Sequence, residues 1–133
     1  MNEYTWIDRQ EYPFQSHYLP LDMGRLHYLD EGHGTPIVMV HGNPTWSFFF
    51  RTLIKALAIN YRVIAPDHIG CGLSDKPGLD RYDYRLKNRI DDLANLITRL
   101  DLKEKMTLVP HDWGGAIGLA TALRRPEQIG RLV

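Results

Sequence analysis

Short apolar runs alternate with helical patterns along most of this chain, and this alternation constrains the fold more than any other feature. There are three such strand-like runs, and the first is continuously apolar, as in a strand that is buried on both faces of a sheet. They lie at residues 37–40, 62–65 and 106–109. A helical pattern follows each run, at residues 46–58, 86–100 and 114–125. A strand–helix unit that occurs three times predicts an α/β fold, with a mostly parallel sheet and helices on both of its faces.

The apolar spacing in two of the helical patterns predicts which side chains face the core. In the first pattern these residues are Trp46, Phe50, Leu53 and Leu57. In the second they are Leu86, Ile90, Leu93, Ile97 and Leu100. Asp83 is predicted to cap the second helix, and Asp91 and Asp92 are predicted to lie on its solvated face.

The segment before the alternation predicts an antiparallel hairpin. Residues 17–21 and 25–29 are strand-like and flank a turn that contains a glycine. We expect residues 1–15 to form an N-terminal extension and residues 16–133 to form the first part of an α/β domain. A cap and a C-terminal part are expected outside this chain, which leaves the strand at 106–109 as an exposed apolar edge.

Charge and composition exclude several classes of function. Sixteen basic residues balance sixteen acidic ones, so there is no positive excess with which to bind nucleic acid or a membrane surface. The chain has one cysteine, Cys71, and no cluster of cysteines and histidines with the spacing of metal ligands. The first residues carry acids and no long apolar run, so no secretory signal is visible. The sequence predicts a cytoplasmic protein that needs no metal or cofactor.

The strongest sign of chemistry is the turn at residues 109–115, between the third apolar run and the third helix. Small residues, among them Gly114 and Gly118, allow the strand and the helix to approach closely, as in a nucleophile elbow. The residue that such an elbow raises above the sheet is here an acid, Asp112. A carboxylate that attacks a saturated carbon forms an alkyl ester, whose carbonyl is open to water. The alternative is that Asp112 only caps the helix.

A second loop, at residues 41–46, follows the first apolar run and is predicted to lie at the same end of the sheet as the acid. Asn43 carries a side-chain amide and Trp113 an indole N–H, so both offer donors to a departing anion such as a halide. A plain turn is the alternative interpretation, because glycine, asparagine and proline are common in turns. Pro110 lacks an amide donor, which predicts a slight distortion of the elbow.

The two loops together resemble those of the α/β-hydrolase superfamily, and more narrowly its haloalkane dehalogenase branch, which includes the β-lactone decarboxylases of bacterial olefin biosynthesis. The similarity extends over residues 16–133. The stretches that carry it are HGNP at 41–44, DHIGCGLSDKP at 67–77 and HDWGG at 111–115. It implies the N-terminal part of an α/β-hydrolase fold, with Asp112 as the nucleophile. It also implies the side chains of Asn43 and Trp113 as leaving-group donors, and their backbone N–H groups as the oxyanion hole.

The resemblance implies an enzyme that acts on a small hydrophobic organic substrate. In the first interpretation it is a dehalogenase-like hydrolase, in which Asp112 displaces a leaving group from an alkyl carbon and water hydrolyses the resulting ester. Residues 41–51 and 67–77 are slightly closer to the lactone decarboxylases, in which the same aspartate would attack a β-lactone and CO2 would be lost. An epoxide hydrolase and a non-catalytic binding domain of the same fold are further alternatives.

The histidines do not supply the base that such hydrolases use. In this superfamily an acid and a histidine base follow the nucleophile along the chain. No histidine follows Asp112 here, and Glu127 is the only acid that does. We therefore expect the base and its acid to lie beyond residue 133 and this chain alone to be inactive. His41 and His68 are predicted to pack within their loops.

Overall fold

One six-stranded sheet organises the chain in the computed structural model, which describes residues 4–133. Its strands are β1 (His17–Leu21), β2 (Gly24–Gly32), β3 (Pro36–Val40), β4 (Arg62–Pro66), β5 (Met106–Pro110) and β6 (Ile129–Leu132). The helices are α1 (Arg51–Leu57), α2 (Leu86–Leu100) and α3 (Trp113–Arg124), and short 3₁₀ turns lie at Ser47–Phe50 and Pro126–Gln128. The predicted fold class is confirmed: a hairpin is followed by parallel strands with helices between them.

The strands lie in the order β1, β2, β4, β3, β5, β6. The first two pairings are antiparallel and the remaining three are parallel. All residues of β3 are buried, because it lies between two parallel neighbours and has packed layers on both faces. The expectation that β5 forms an open edge is wrong, since the last apolar residues fold as β6 and pair with it.

Two apolar clusters cover the two faces of the sheet. On one face, Leu93 of α2 and Ile117 of α3 belong to the same cluster as Val38 of β3. On the other face, Ile54 of α1 belongs to the same cluster as Met39 of β3. Because successive strand residues point to opposite faces, neighbouring residues of β3 join different clusters. The helices therefore lie on both faces, as predicted.

The described part of the expected N-terminal extension, residues 4–15, packs against the second cluster. Tyr12 is completely buried, and Phe14 is nearly so. The Tyr12 hydroxyl lies 2.6 Å from the Ser47 hydroxyl, so its polar end is satisfied inside the core. These residues add to the hydrophobic core. Residues 1–3 of the expected extension lie outside the described residues.

The starts of two helices differ from the prediction. Leu53 of α1 is 48% exposed and Ile54 is completely buried, so the inward face is displaced by one residue. The reason is the 3₁₀ turn before α1, which has fewer residues per turn than an α-helix and shifts the phase of the face. The prediction that Asp83 caps α2 is also wrong. The residue before α2 is Arg85, and the Asp83 carboxylate accepts its N–H at 3.1 Å.

The prediction that Asp92 lies on the solvated face of α2 is wrong. Its side chain is 5% exposed, and its carboxylate accepts a hydrogen bond of 2.7 Å from the Tyr82 hydroxyl. Burial raises the pKa of Asp92 above its ordinary value. Asp91 lies at the surface, where it pairs with Lys87 and Arg124. Charge pattern alone did not separate these adjacent acids, because the separation depends on the loop that brings Tyr82 over the helix.

Candidate active site

The turn between β5 and α3 holds Asp112 in an unusual backbone conformation, with φ of 56° and ψ of −129°. The carboxylate is exposed at the carboxyl end of the sheet. His111 donates its backbone N–H to the Val40 oxygen at 3.0 Å, so β5 stays paired with β3 up to the turn. The distortion expected from Pro110 is absent from this pairing, because alternate amides of a strand face opposite neighbours and the missing N–H faces away from β3. The geometry is that of a nucleophile elbow.

Two glycines make room for this elbow. A Cβ at Gly114 would lie 2.1 Å from the backbone oxygen of Val40, and a Cβ at Gly42 would lie 2.3 Å from Oδ1 of Asp112. No side chain fits at either position without movement of the backbone or of the acid. Gly115 differs, because a Cβ there would meet nothing within 4 Å. The close approach predicted from the small residues therefore depends on Gly114 and not on its neighbour.

We expect Gly114→Ala to destabilise the protein by about 1–3 kcal/mol, the usual cost of overpacking a close contact. The added methyl group must push α3 away from β3, which also displaces Asp112. Gly115→Ala is the matched control, and we expect it to stabilise by about 0.5–1 kcal/mol through helix propensity. Urea unfolding of both variants measures the difference. Equal stability of the two would contradict the close approach of α3 to β3.

The carboxylate of Asp112 is oriented mainly by the neighbouring loop. The backbone N–H of Asn43 donates to Oδ1 of Asp112 at 2.9 Å. This N–H makes the largest contribution to holding the pKa of Asp112 below its ordinary value, and the backbone N–H of Trp113 makes the second largest. Asp112 precedes α3, but its side chain makes no capping hydrogen bond, so the capping alternative is wrong. The acid is ionised at neutral pH and oriented by the HGNP loop.

Asn43 and Trp113 line one cavity of about 280 Å³ beside the elbow. The other residues that line it are Tyr84, Leu86, Arg89 and Ile117. Trp113 is 53% exposed, so its indole is open to a ligand. The Asn43 side chain is held by Arg89, whose Nη1 donates to Oδ1 at 3.1 Å. The structure thus brings the three predicted site residues together and adds Arg89, which sequence reasoning placed only on the helix, beside the core residue Ile90.

His41 and His68 pack under this site, as predicted. His41 is completely buried; its Nδ1–H donates to the Gly42 oxygen at 2.7 Å, and its Nε2 accepts the His68 backbone N–H at 2.9 Å. His68 in turn donates Nε2–H to the His41 oxygen at 2.8 Å. Burial, together with the neighbouring His41 ring, lowers the pKa of His68 to about 3. Both rings are neutral, and these contacts use both ring nitrogens of His41 and Nε2 of His68.

A buried carboxylate that sequence reasoning missed, Asp67, joins three segments beneath the site. It follows β4 directly and is completely buried. Its oxygens accept hydrogen bonds from the backbone N–H of Ser47 at 2.7 Å, the backbone N–H of Leu73 at 2.9 Å and Nδ1 of His27 at 2.9 Å. Burial alone would raise the pKa of Asp67. The His27 contact and the two backbone N–H groups lower it by a larger amount, so the net shift of the pKa is downward.

Residues 4–133 contain neither a metal-binding cluster nor a membrane-spanning helix. No group of three or more histidines, cysteines, aspartates or glutamates is arranged to hold a metal ion there. None of the helices in the same range has the length and apolarity required to cross a membrane.

Known proteins match this chain over most of its length. A family model described as "alpha/beta hydrolase fold" matches residues 35–133. A cis-3-alkyl-4-alkyloxetan-2-one decarboxylase from Shewanella oneidensis is 59% identical over 121 residues, which cover 91% of this chain and 38% of that protein. A haloalkane dehalogenase from Mycolicibacterium paratuberculosis is 44% identical over 132 residues, which cover 93% of this chain and 43% of that protein.

The fold also matches solved structures. Haloalkane dehalogenase DpaA from Paraglaciecola agarilytica, whose structure is tetrameric, aligns with a TM-score of 0.83 at 32% identity, over 94% of this chain and 46% of the other. This chain spans about two fifths of the length of the curated relatives named above. The chain belongs to the α/β-hydrolase fold family and corresponds to the N-terminal part of that fold.

Proposed function

We propose that this chain supplies the nucleophile of a decarboxylase that converts 3,4-dialkyl β-lactones into alkenes and CO2. The observation that carries the proposal is the exposed Asp112 carboxylate, oriented at 2.9 Å by the backbone N–H of Asn43. The 59% identity to an oxetanone decarboxylase, against 44% to a haloalkane dehalogenase, favours the lactone over the haloalkane that the sequence alone placed first.

The proposed reaction needs no oxidant or cofactor. One carboxylate oxygen of Asp112 attacks the alkyl-bearing ring carbon C4, and the bond from C4 to the ring oxygen breaks. This forms an ester between Asp112 and C4 and leaves a free carboxylate on C3. The bond between C3 and that carboxylate then breaks, and its electron pair forms the C3=C4 double bond. The bond from C4 to the Asp112 oxygen breaks in the same step, which releases CO2 and the alkene and restores the aspartate.

The donors near Asp112 have a role in the first step of this proposal. As the ring opens, negative charge develops on the departing ring oxygen. The side-chain amide of Asn43 and the indole N–H of Trp113 line the same cavity and are donors suited to that charge. The depressed pKa of Asp112 keeps the nucleophile ionised at neutral pH.

Haloalkane dehalogenation is the second candidate, because the same two donors also suit a halide. Asp112 would then displace the halide, and water would have to attack the carbonyl of the Asp112 ester. That second step needs a base to activate the water. His41 uses both of its ring nitrogens, and His68 uses Nε2, in contacts beneath the site. In this fold the histidine base follows the nucleophile along the chain, and no histidine follows Asp112 within residues 4–133.

Isotope labelling separates the two candidates in the full-length protein. In H2(18)O, dehalogenation puts (18)O into the Asp112 carboxylate, because water attacks the ester carbonyl. Lactone decarboxylation restores the original oxygens, because only the bond to C4 breaks. We expect alkene and CO2 from a cis-3,4-dialkyl β-lactone, with an unlabelled Asp112 peptide by mass spectrometry. Halide release from a haloalkane, with a labelled peptide, would establish the second candidate. Turnover of neither substrate would contradict both.

A further inference from the structure

Arg89 reaches from α2 to the Asn43 side chain. Its Nη1 donates to Oδ1 of Asn43 at 3.1 Å, and its Nη2 lies 3.8 Å from the Cys71 sulfur, a weak acceptor. It lines the cavity that Asn43 and Trp113 also line. The amide oxygen of Asn43 is therefore the one strong acceptor that the guanidinium uses among the described residues.

Several features of Arg89 do not fit a purely structural role. None of the ion pairs formed within residues 4–133 includes it. Its Nε is buried and has no hydrogen-bond partner in that part of the chain. An unpaired buried donor is unfavourable, and each such group in a folded protein calls for an explanation, of which a role in catalysis is one kind. A cation placed in this way on the side chain of the proposed leaving-group donor Asn43 calls for an explanation in terms of the site.

The chemistry of the contact fixes the direction of the Asn43 amide. A guanidinium has only donors, whereas an amide has an oxygen acceptor on one side and an NH2 donor on the other. If the amide turned over, its NH2 group would face the donors of Arg89. The contact therefore keeps Oδ1 toward Arg89 and leaves both N–H groups of Nδ2 available elsewhere.

We propose that Arg89 is a positioning residue that holds the Asn43 amide with its NH2 donors toward the leaving group. This inference rests on the proposed function in placing the leaving group at Asn43, but it applies equally to a departing carboxylate and to a halide. Arg89 acts through Asn43 and does not itself touch the reacting atoms.

A double-mutant cycle in the full-length protein tests the proposal. Asn43→Ala is expected to lower kcat roughly a hundredfold, as loss of one oxyanion donor does. Arg89→Met is expected to lower kcat about tenfold with little change in KM, because a misplaced donor weakens transition-state binding. In the Asn43→Ala background, Arg89→Met should have no further effect. Arg89→Lys, which keeps one donor, should restore part of the rate. Arg99→Met, at an exposed arginine of the same helix, is the control and should leave kcat unchanged.

Other results would overturn the proposal. A loss from Arg89→Met that persists undiminished in the Asn43→Ala background would mean that Arg89 acts directly or only on stability. Full activity of Arg89→Met would also overturn it. A readout independent of turnover is the pair of side-chain amide resonances of Asn43 in (15)N-labelled protein, identified by their loss in Asn43→Ala. These should shift in Arg89→Met and not in Arg99→Met. Unshifted resonances would reject the proposal whether or not either substrate is turned over. A lack of turnover with shifted resonances would contradict only the proposed function.

Discussion

Asp112→Asn is expected to lower kcat of the full-length protein by a factor of about 10⁴ or more, the scale of loss when a covalent nucleophile is removed. The amide is neutral and cannot form the ester on which both candidate reactions depend. The fold should survive, because the carboxylate is exposed and the backbone N–H of Asn43 that orients it can also be accepted by an amide oxygen. Turnover of lactone and haloalkane, together with the melting temperature, measures the two effects separately.

Asp80→Asn is the matched control for this loss. Asp80 is an exposed acid in the loop before α2 and takes no part in the candidate site, so we expect wild-type kcat and melting temperature. If Asp112→Asn retained more than a few per cent of the activity, Asp112 would not be the nucleophile. If the variant lost activity only in proportion to a loss of folded protein, the elbow would have a structural role alone.

The elbow was predictable from the sequence because its causes are local. A continuous apolar run, a helix start and several small residues occur within ten positions, and the backbone between them has few ways to turn. The positions of Asn43 and Asp112 relative to each other followed from topology, because the carboxyl ends of neighbouring parallel strands meet at one edge. The 2.9 Å contact between them is the outcome of both facts.

Arg89 and Asp67 were not predictable in the same way, because their partners are distant in sequence, and Asp92 was not, because its partner Tyr82 lies in an irregular loop. Arg89 meets Asn43 across 46 positions, and Asp67 meets His27 across 40. No periodicity within α2 distinguishes an arginine that reaches a cavity from one that faces water. The prediction of which α1 residues face the core was wrong for a different reason. The apolar spacing was interpreted as an α-helix throughout, and a 3₁₀ turn at its start cannot be recognised from that spacing.

Asp67→Asn is expected to destabilise the protein by about 3–5 kcal/mol, the cost of breaking a buried pair by removing one charge. The carboxylate oxygens accept the His27 ring N–H and two backbone N–H groups. An asparagine offers one acceptor oxygen in place of two, and its NH2 group would face a donor. Because these bonds join the segments that contain Ser47 and Leu73, we also expect a more mobile HGNP loop. Urea unfolding at pH 7 measures the loss.

Asp75→Asn provides the comparison in the same loop, since Asp75 pairs with Arg25 at the surface and not in the core. We expect it to lower the free energy of unfolding by less than about 1 kcal/mol, as exposed ion pairs usually contribute.

The effect of pH on the stability of the Asp67 variant distinguishes charge from packing. The pKa of Asp67 is lowered by folding, so its carboxylate stabilises the folded state above the unfolded pKa of about 4, and this contribution is lost as the pH falls through the folded value. The stability difference between wild type and Asp67→Asn should therefore narrow in acid. A difference that stayed constant as the pH fell from 7 to well below the unfolded pKa of about 4 would mean that packing, and not the buried charge, holds these loops together.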